Sequence, residues 1–129
     1  MAEKVSSQRV LVVDDEPLIR WSLRETLADH GFRVEEAGDA AGAVHAASDD
    51  SYSFDIVLLD FRLPDSNDLT LLATLRRLMP RTPIILMTAF GTPEVVQHAL
   101  DLGALLVINK PFEMNEMASL VERTLRVVH

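Results

Sequence analysis

An α/β domain, with five strands of a parallel sheet alternating with five helices, is what this sequence predicts, and three observations carry the prediction. Four short apolar runs, RVLVV at Arg9 to Val13, FDIVLLD at Phe54 to Asp60, PIILMT at Pro83 to Thr88 and LLVIN at Leu105 to Asn109, are continuous rather than alternating. That pattern suits strands covered on both faces. Segments of helical period lie between successive strands, so the crossovers are helices and the strands parallel. The runs end at polar groups: Asp14-Asp15, Asp60, Thr88 and Lys110. In open parallel sheets, chemistry collects outside the carboxyl ends of the strands.

Residues 1 to 8 are polar, hold nothing that could pack and are expected to fray. Arg9 to Val13 is the first strand and runs into Asp14-Asp15-Glu16-Pro17. Pro17 can open a helix at its first turn. Leu18, Ile19, Ser22, Leu23, Thr26, Leu27 and His30 then recur at helical spacing up to Gly31, a C-terminal stop, and Trp21 falls on the outward face. Arg33 to Ala37 (RVEEA) is a short second strand whose polarity marks a sheet edge. Asp39 caps a second helix through Ala40, Ala41, Val44, Ala46 and Ala47, which ends in the polar residues Asp49 to Ser51. After the third strand, Phe54 to Asp60, Asn67 or Asp68 caps a third helix marked by Leu71, Leu72, Leu75, Leu78 and Met79 and ended by Pro80. Pro83 to Thr88 is the fourth strand, followed by a helix from Pro93 to Leu102 with Gly103 as its stop. Leu105 to Asn109 is the fifth strand, and the last helix, Met114 to about Val127, turns Met117, Leu120, Val121, Thr124 and Leu125 inward. Neither a repeat nor a linker interrupts the order.

At 129 residues the chain is one domain, large enough to bury a core without metal or disulfide staples. It has no cysteine, which excludes disulfides and Cys-ligated zinc and fits a reducing compartment. Hydrophobic residues make up 48% of the chain, yet no apolar run approaches the ~20 residues that span a bilayer. MAEKVSSQ also lacks the apolar core of a signal peptide, so a cytoplasmic location without membrane contact is expected. Twenty acidic and twelve basic side chains give a net charge of −8. Such a domain repels phosphate backbones, and nucleic-acid binding by this domain is not expected.

Asp14, Asp15, Asp60, Thr88 and Lys110 sit at the ends of four strands, so a parallel sheet brings them to one edge. Each alone has an ordinary reading: a solvated loop, a helix cap, a β-forming residue, a surface cation. Their joint placement is the stronger signal. Three carboxylates in one pocket raise one another's pKa unless a cation compensates them. Mg²⁺ takes oxygen ligands, keeps several waters and accepts one or two carboxylates with phosphate oxygens. Lys110 adds a mobile point charge suited to phosphate. The histidines, His30, His45, His98 and His129, show no i, i+4 pairing and read as surface or cap residues.

Quoted together, VLVVDDEP, DIVLLDFRLPDSND, PIILMTAFG and LVINKPF, at these separations, resemble the receiver domain of bacterial two-component response regulators over residues 9 to 127. LIRWSLRETLADHGF and the RLPD loop are most similar to NtrC-type regulators. The resemblance implies the doubly wound CheY-like sheet, order 2-1-3-4-5, with helices on both faces. It also implies a signalling switch rather than an enzyme acting on a separate substrate. A histidine kinase would transfer a phosphoryl group to Asp60 in a Mg²⁺-dependent step, altering a protein-interaction face on the fourth helix, fifth strand and fifth helix. An output domain or partner, transcriptional in such regulators, would respond. By the same resemblance Asp15, Asp60 and the backbone carbonyl of Arg62 bind Mg²⁺ directly, and Asp14 acts through a water. Thr88 would hydrogen-bond the phosphoryl oxygens, Lys110 would pair with them, and Lys110-Pro111 would be cis. Arg62 and Phe90 occupy the two positions that tune phosphoryl lifetime in the family. Neither offers a group to align an attacking water, and Phe90 could shield the site, so slow autodephosphorylation is expected. Ala89 leaves the approach to Asp60 open.

Three residues depart from the family pattern. Asp68 replaces a glycine after the phosphorylation loop, and its side chain is expected to cap the third helix. Val107 replaces the aromatic of strand five that swings with Thr88, and Leu106 replaces an acid beside it. Strand five is therefore apolar for an edge, and apolar edges invite covering or pairing. Either the flanking helices cover it, or a homodimer forms through the fourth helix, fifth strand and fifth helix. Val107 and Asp68 also favour the alternative of a phosphorylation-independent interaction module of the same fold. A flavin-binding domain would need a hydroxyl-rich phosphate loop after strand one, and an aspartyl phosphatase a D-x-D pattern there. Asp14-Asp15-Glu16 gives neither.

Overall fold

A computed structural model describes residues 8–49, 51 and 53–128, together with all their side chains except those of residues 127 and 128. The fraying expected of residues 1 to 8 lies outside the described residues except at Gln8, whose carbonyl accepts from the Arg33 N–H at 2.9 Å. The element order is β1 (Arg9–Val13), α1 (Pro17–Asp29), β2 (Arg33–Ala37), α2 (Ala40–Ala47), β3 (Ile56–Asp60), α3 (Thr70–Leu78), β4 (Ile84–Thr88), α4 (Pro93–Asp101), β5 (Leu106–Asn109) and α5 (Met114–Val128). All neighbours pair in parallel and the sheet order is β2-β1-β3-β4-β5, as the resemblance implied. Polar β2 is one edge and apolar β5 the other.

The central strands account for the continuous apolar runs. Every residue of β3 and of β4 is buried. Val10, Val12, Ile56, Leu58, Ile85 and Met87 face one side, where α1 and α5 supply Leu23, Leu27, Met117, Val121 and Leu125. Leu11, Val13, Val57, Leu59, Ile84 and Leu86 face the other, against Ala43, Leu72, Leu75 and Ala99 of α2, α3 and α4. The strict alternation follows from the two-residue period of a strand. Truncating one such leucine to alanine costs about 2–5 kcal/mol.

Element ends follow local chemistry. Pro17 opens α1, and Gly31, at φ +92°, and Gly103, at φ +109°, stand just past α1 and α4. Asp39 accepts from the Gly42 N–H at 2.7 Å and caps α2. The strands β3, β4 and β5 begin one or two residues later than the apolar runs suggest, because Phe54, Pro83 and Leu105 precede the ladder. Helix α3 starts at Thr70 rather than directly after Asp68, yet Asp68 still acts on its first turn, accepting from the Thr70 N–H at 2.9 Å. That bond holds the Asp68 carboxyl below its usual range. Trp21 is 53% exposed, as its helical phase predicts.

Candidate functional site

Strands β1, β3 and β4 and the loop after β5 deliver the predicted residues to one cleft of about 250 Å³, lined by Asp15, Glu16, Asp60, Arg62, Thr88, Ala89 and Lys110 among others. Asp14 lies beneath it, fully buried. One oxygen from each of Asp14, Asp15 and Asp60 falls within 4.8 Å of the others. Lys110 reaches across from the end of β5, its Nζ 2.8 Å from Asp14 Oδ2, 3.3 Å from Asp60 Oδ2 and 3.4 Å from Glu16 Oε1. The Lys110-Pro111 peptide is cis.

Each side chain is held by its backbone neighbours. Phe61 N–H donates to the Met87 carbonyl and Lys110 N–H to the Thr88 carbonyl, both at 2.8 Å, tying the ends of β3, β4 and β5 together. Thr88, buried, accepts from the Phe90 N–H through its hydroxyl at 3.1 Å. Past Asp60, whose Oδ1 accepts weakly from the Arg62 N–H at 3.4 Å, the loop closes on itself through Leu63 and Ser66. Asp65 of that loop accepts from the Ala40 and Ala41 N–H groups at 2.7 and 3.1 Å, pinning it to the N-terminus of α2. Those amides lower the Asp65 pKa.

The electrostatics match a site short of positive charge. Burial, then the neighbouring Asp14 charge, push the Asp60 carboxyl up from 3.8 to about 6, against the opposing pull of Lys110. Burial alone would lower the Lys110 pKa, but Asp14 and Asp60 outweigh it and raise it. One ammonium therefore serves three carboxylates. The donors are all hard oxygens, Asp15 is open to the cleft, and charge is left uncompensated; the set fits Mg²⁺.

Arg62 lines the mouth, with its guanidinium 5.8 Å from the centre of the Phe90 ring. Phe90 is 69% exposed, so its ring reaches the site chiefly through Arg62. Sequence reasoning missed three contributors. Glu16 beside the acidic pair shares Lys110, and only its adjacency hinted at this. Asp65 acts across 25 residues, and Arg20, which holds the Asp14 carbonyl from six residues away, is itself anchored by Glu36 across 16, separations at which periodicity carries no signal.

A doubly wound parallel sheet with an acidic, lysine-bridged cleft at its carboxyl edge defines the CheY-like class of signalling domain. Residues 10–122 match the family model of the response regulator receiver domain. The chain is 36% identical over 119 residues to the regulatory protein AtoC of Escherichia coli K12, covering 92% of this chain and 25% of that protein. It is 34% identical over 116 residues to the DNA-binding transcriptional regulator NtrC of the same strain, covering 90% and 24%. A CheY-like response regulator receiver domain from Methanospirillum hungatei JF-1 has the same fold, with a TM-score of 0.89 at 28% identity over 95% of this chain and 97% of that one. The chain belongs to the response regulator receiver family. It spans about a quarter of the length of AtoC and NtrC, relatives in line with the NtrC-type resemblance of its first helix.

Proposed function

We propose that Asp60 is the phosphoacceptor of a two-component switch, taking a phosphoryl group from a histidine kinase. The observation that carries this reading is the convergence of Asp14, Asp15 and Asp60 within 4.8 Å, with Lys110 Nζ 3.3 Å from Asp60. An Asp60 oxygen attacks phosphorus as the bond to the kinase imidazole nitrogen breaks, and the bonding pair leaves with that nitrogen. The demands on the protein are position and charge neutralisation. Asp15, Asp60 and the Arg62 carbonyl would hold Mg²⁺, with Asp14 acting through a water. Bound there, Mg²⁺ would neutralise charge on the transferring group and on Asp60. Lys110 exchanges part of its contact with Asp14 and Glu16 for a phosphoryl oxygen, and the Thr88 hydroxyl turns from the Phe90 amide to another.

The output face comprises α4, β5 and α5. Leu100 and Leu105 are exposed there, and Leu106, Val107 and Ile108 are half-buried, so the flanking helices cover the apolar edge only in part. A second copy of the domain, in the cytoplasm, covers the rest. The test is intact-mass spectrometry after incubation with acetyl phosphate and Mg²⁺. The wild type gains one phosphoryl group and Asp60→Asn gains none; equal labelling of both would move the acceptor elsewhere, and no labelling of either would favour the phosphorylation-independent module.

A further inference from the structure

The acidic pair is braced from behind by a residue that never enters the cleft. Asp14 is fully buried and each of its polar atoms is engaged. Its N–H donates to the Ala37 carbonyl at 3.1 Å, its Oδ1 accepts from the Glu16 N–H at 2.9 Å, and its Oδ2 accepts from Lys110 at 2.8 Å. The remaining atom, the backbone carbonyl, accepts from Arg20 Nη1 of α1 at 2.7 Å, the shortest of the four. The same guanidinium donates through Nε to Glu36 of β2 at 3.2 Å, and Arg24 holds that carboxylate's other oxygen at 3.0 Å. The fork is boxed in as well: a Cβ at Gly38 would stand 3.0 Å from Arg20 Nη1.

The Asp14 carbonyl belongs to the peptide plane that also contains the Cα of Asp15. Fixing that oxygen fixes where the Asp15 side chain begins, and Asp15 has no buried surroundings of its own to hold it. We propose that Arg20, anchored by Glu36, is a positioning residue for Mg²⁺: it sets the β1–α1 peptide so that Asp15 meets Asp60 at ligand distance. The inference rests on the Mg²⁺ reading given above.

A bare charge effect and a positioning effect predict opposite signs. Removing the Arg20 cation raises the local negative potential and so, by charge alone, would tighten Mg²⁺ binding. Loss of positioning weakens it, and outer partners of metal ligands are worth about 10–100-fold in affinity. The experiment is a Mg²⁺ titration of the unphosphorylated domain, followed by backbone amide shifts, on wild type, Arg20→Gln, Arg20→Lys and Glu36→Gln. Arg20→Gln is expected to bind about tenfold more weakly. Arg20→Lys, which keeps the charge but cannot serve both partners, is expected to fall between it and wild type, and Glu36→Gln to lose about two- to threefold. Unchanged or tighter binding by folded Arg20→Gln overturns the proposal while leaving the Mg²⁺ site intact. Should Arg20→Gln not fold, Arg20→Lys decides: wild-type affinity there overturns the proposal. A wild type that takes up no Mg²⁺ overturns both the site and the proposal.

Discussion

Asp60→Asn is expected to stabilise the metal-free domain, although it removes the carboxylate proposed above as the phosphoacceptor. The Asp60 carboxyl lies 6% exposed between Asp14 and Lys110 and is pushed from 3.8 to about 6, first by burial and then by Asp14. A displacement of about two units corresponds to about 3 kcal/mol between the protonated and ionised states. That displacement already includes the opposing pull of Lys110, so it is an upper figure, and an imperfectly paired amide NH₂ group in its place leaves a net gain of about 1–3 kcal/mol. For a domain of this size that is a rise in Tm of about 3–10 °C. The sign follows from linkage. Between about pH 4 and 6 Asp60 keeps its proton in the folded state where it has lost it in the unfolded one, so the contribution of this group to stability falls as pH rises through that window. The advantage of the variant is therefore near zero at the acid end and complete by about pH 7. Urea unfolding with a chelator present, repeated across this range, measures it. A variant less stable than wild type at neutral pH, or a difference indifferent to pH, would refute the reasoning. Added Mg²⁺ is expected to narrow the gap by stabilising the wild type more than the variant.

Three further outcomes follow from other parts of the molecule. Phosphorylated wild type is expected to lose its phosphoryl group over minutes or longer, and Phe90→Ala, which frees Arg62 from its ring, to shorten that lifetime severalfold; decay within seconds in the wild type, followed by mass spectrometry, contradicts this. Gly103→Ala is expected to cost about 2–4 kcal/mol in urea unfolding, since Gly103 has φ +109° and its Cβ would overlap Arg76 Cδ. A loss under about 0.5 kcal/mol, the range of an ordinary surface change, would mean both that Arg76 moves aside and that the backbone there relaxes out of positive φ. Leu105→Glu, at a residue 46% exposed on the β5 edge, is expected to leave folding intact and abolish any dimer seen by size-exclusion chromatography, and a dimer that survives it uses another face.

How much of this was readable from the chain depended on how local the cause was. The buried strands announced themselves, because β3 and β4 lie between two layers of helix and cannot alternate apolar with polar. The convergence of Asp14, Asp60, Thr88 and Lys110 was readable for a topological reason: parallel strands bring their ends to one edge whatever the loops between them do. Trp21 as an outward residue followed from spacing, whereas the cap of α3 falls on Leu69, one residue past Asp68, whose carboxylate reaches only the Thr70 N–H. Contacts that join distant elements were not legible. Arg76 of α3 reaches the carbonyls of Gly103, Met79 and Thr82, and nothing in its sequence surroundings distinguishes it from Arg77, which is exposed. His30 caps α1, as read, but its pairing with Glu122 of α5 at 3.1 Å depends on how two helices cross.

The unequal burial of the strands has a mechanical consequence. Asp60 stands at the tip of β3, a strand with both faces packed and a partner strand on each side. Ground of that kind does not give way when charge is added. Two strands away the situation is reversed: β5 is half-covered and ends exposed, and α4 buries only Ala99. Low burial density marks the segments that open at least cost. The sheet is thus built like an anvil with one soft rim: the phosphoryl transfer proposed at Asp60 would strike its rigid centre, and the give would be confined to the α4–β5 margin, where Leu100 and Leu105 are exposed.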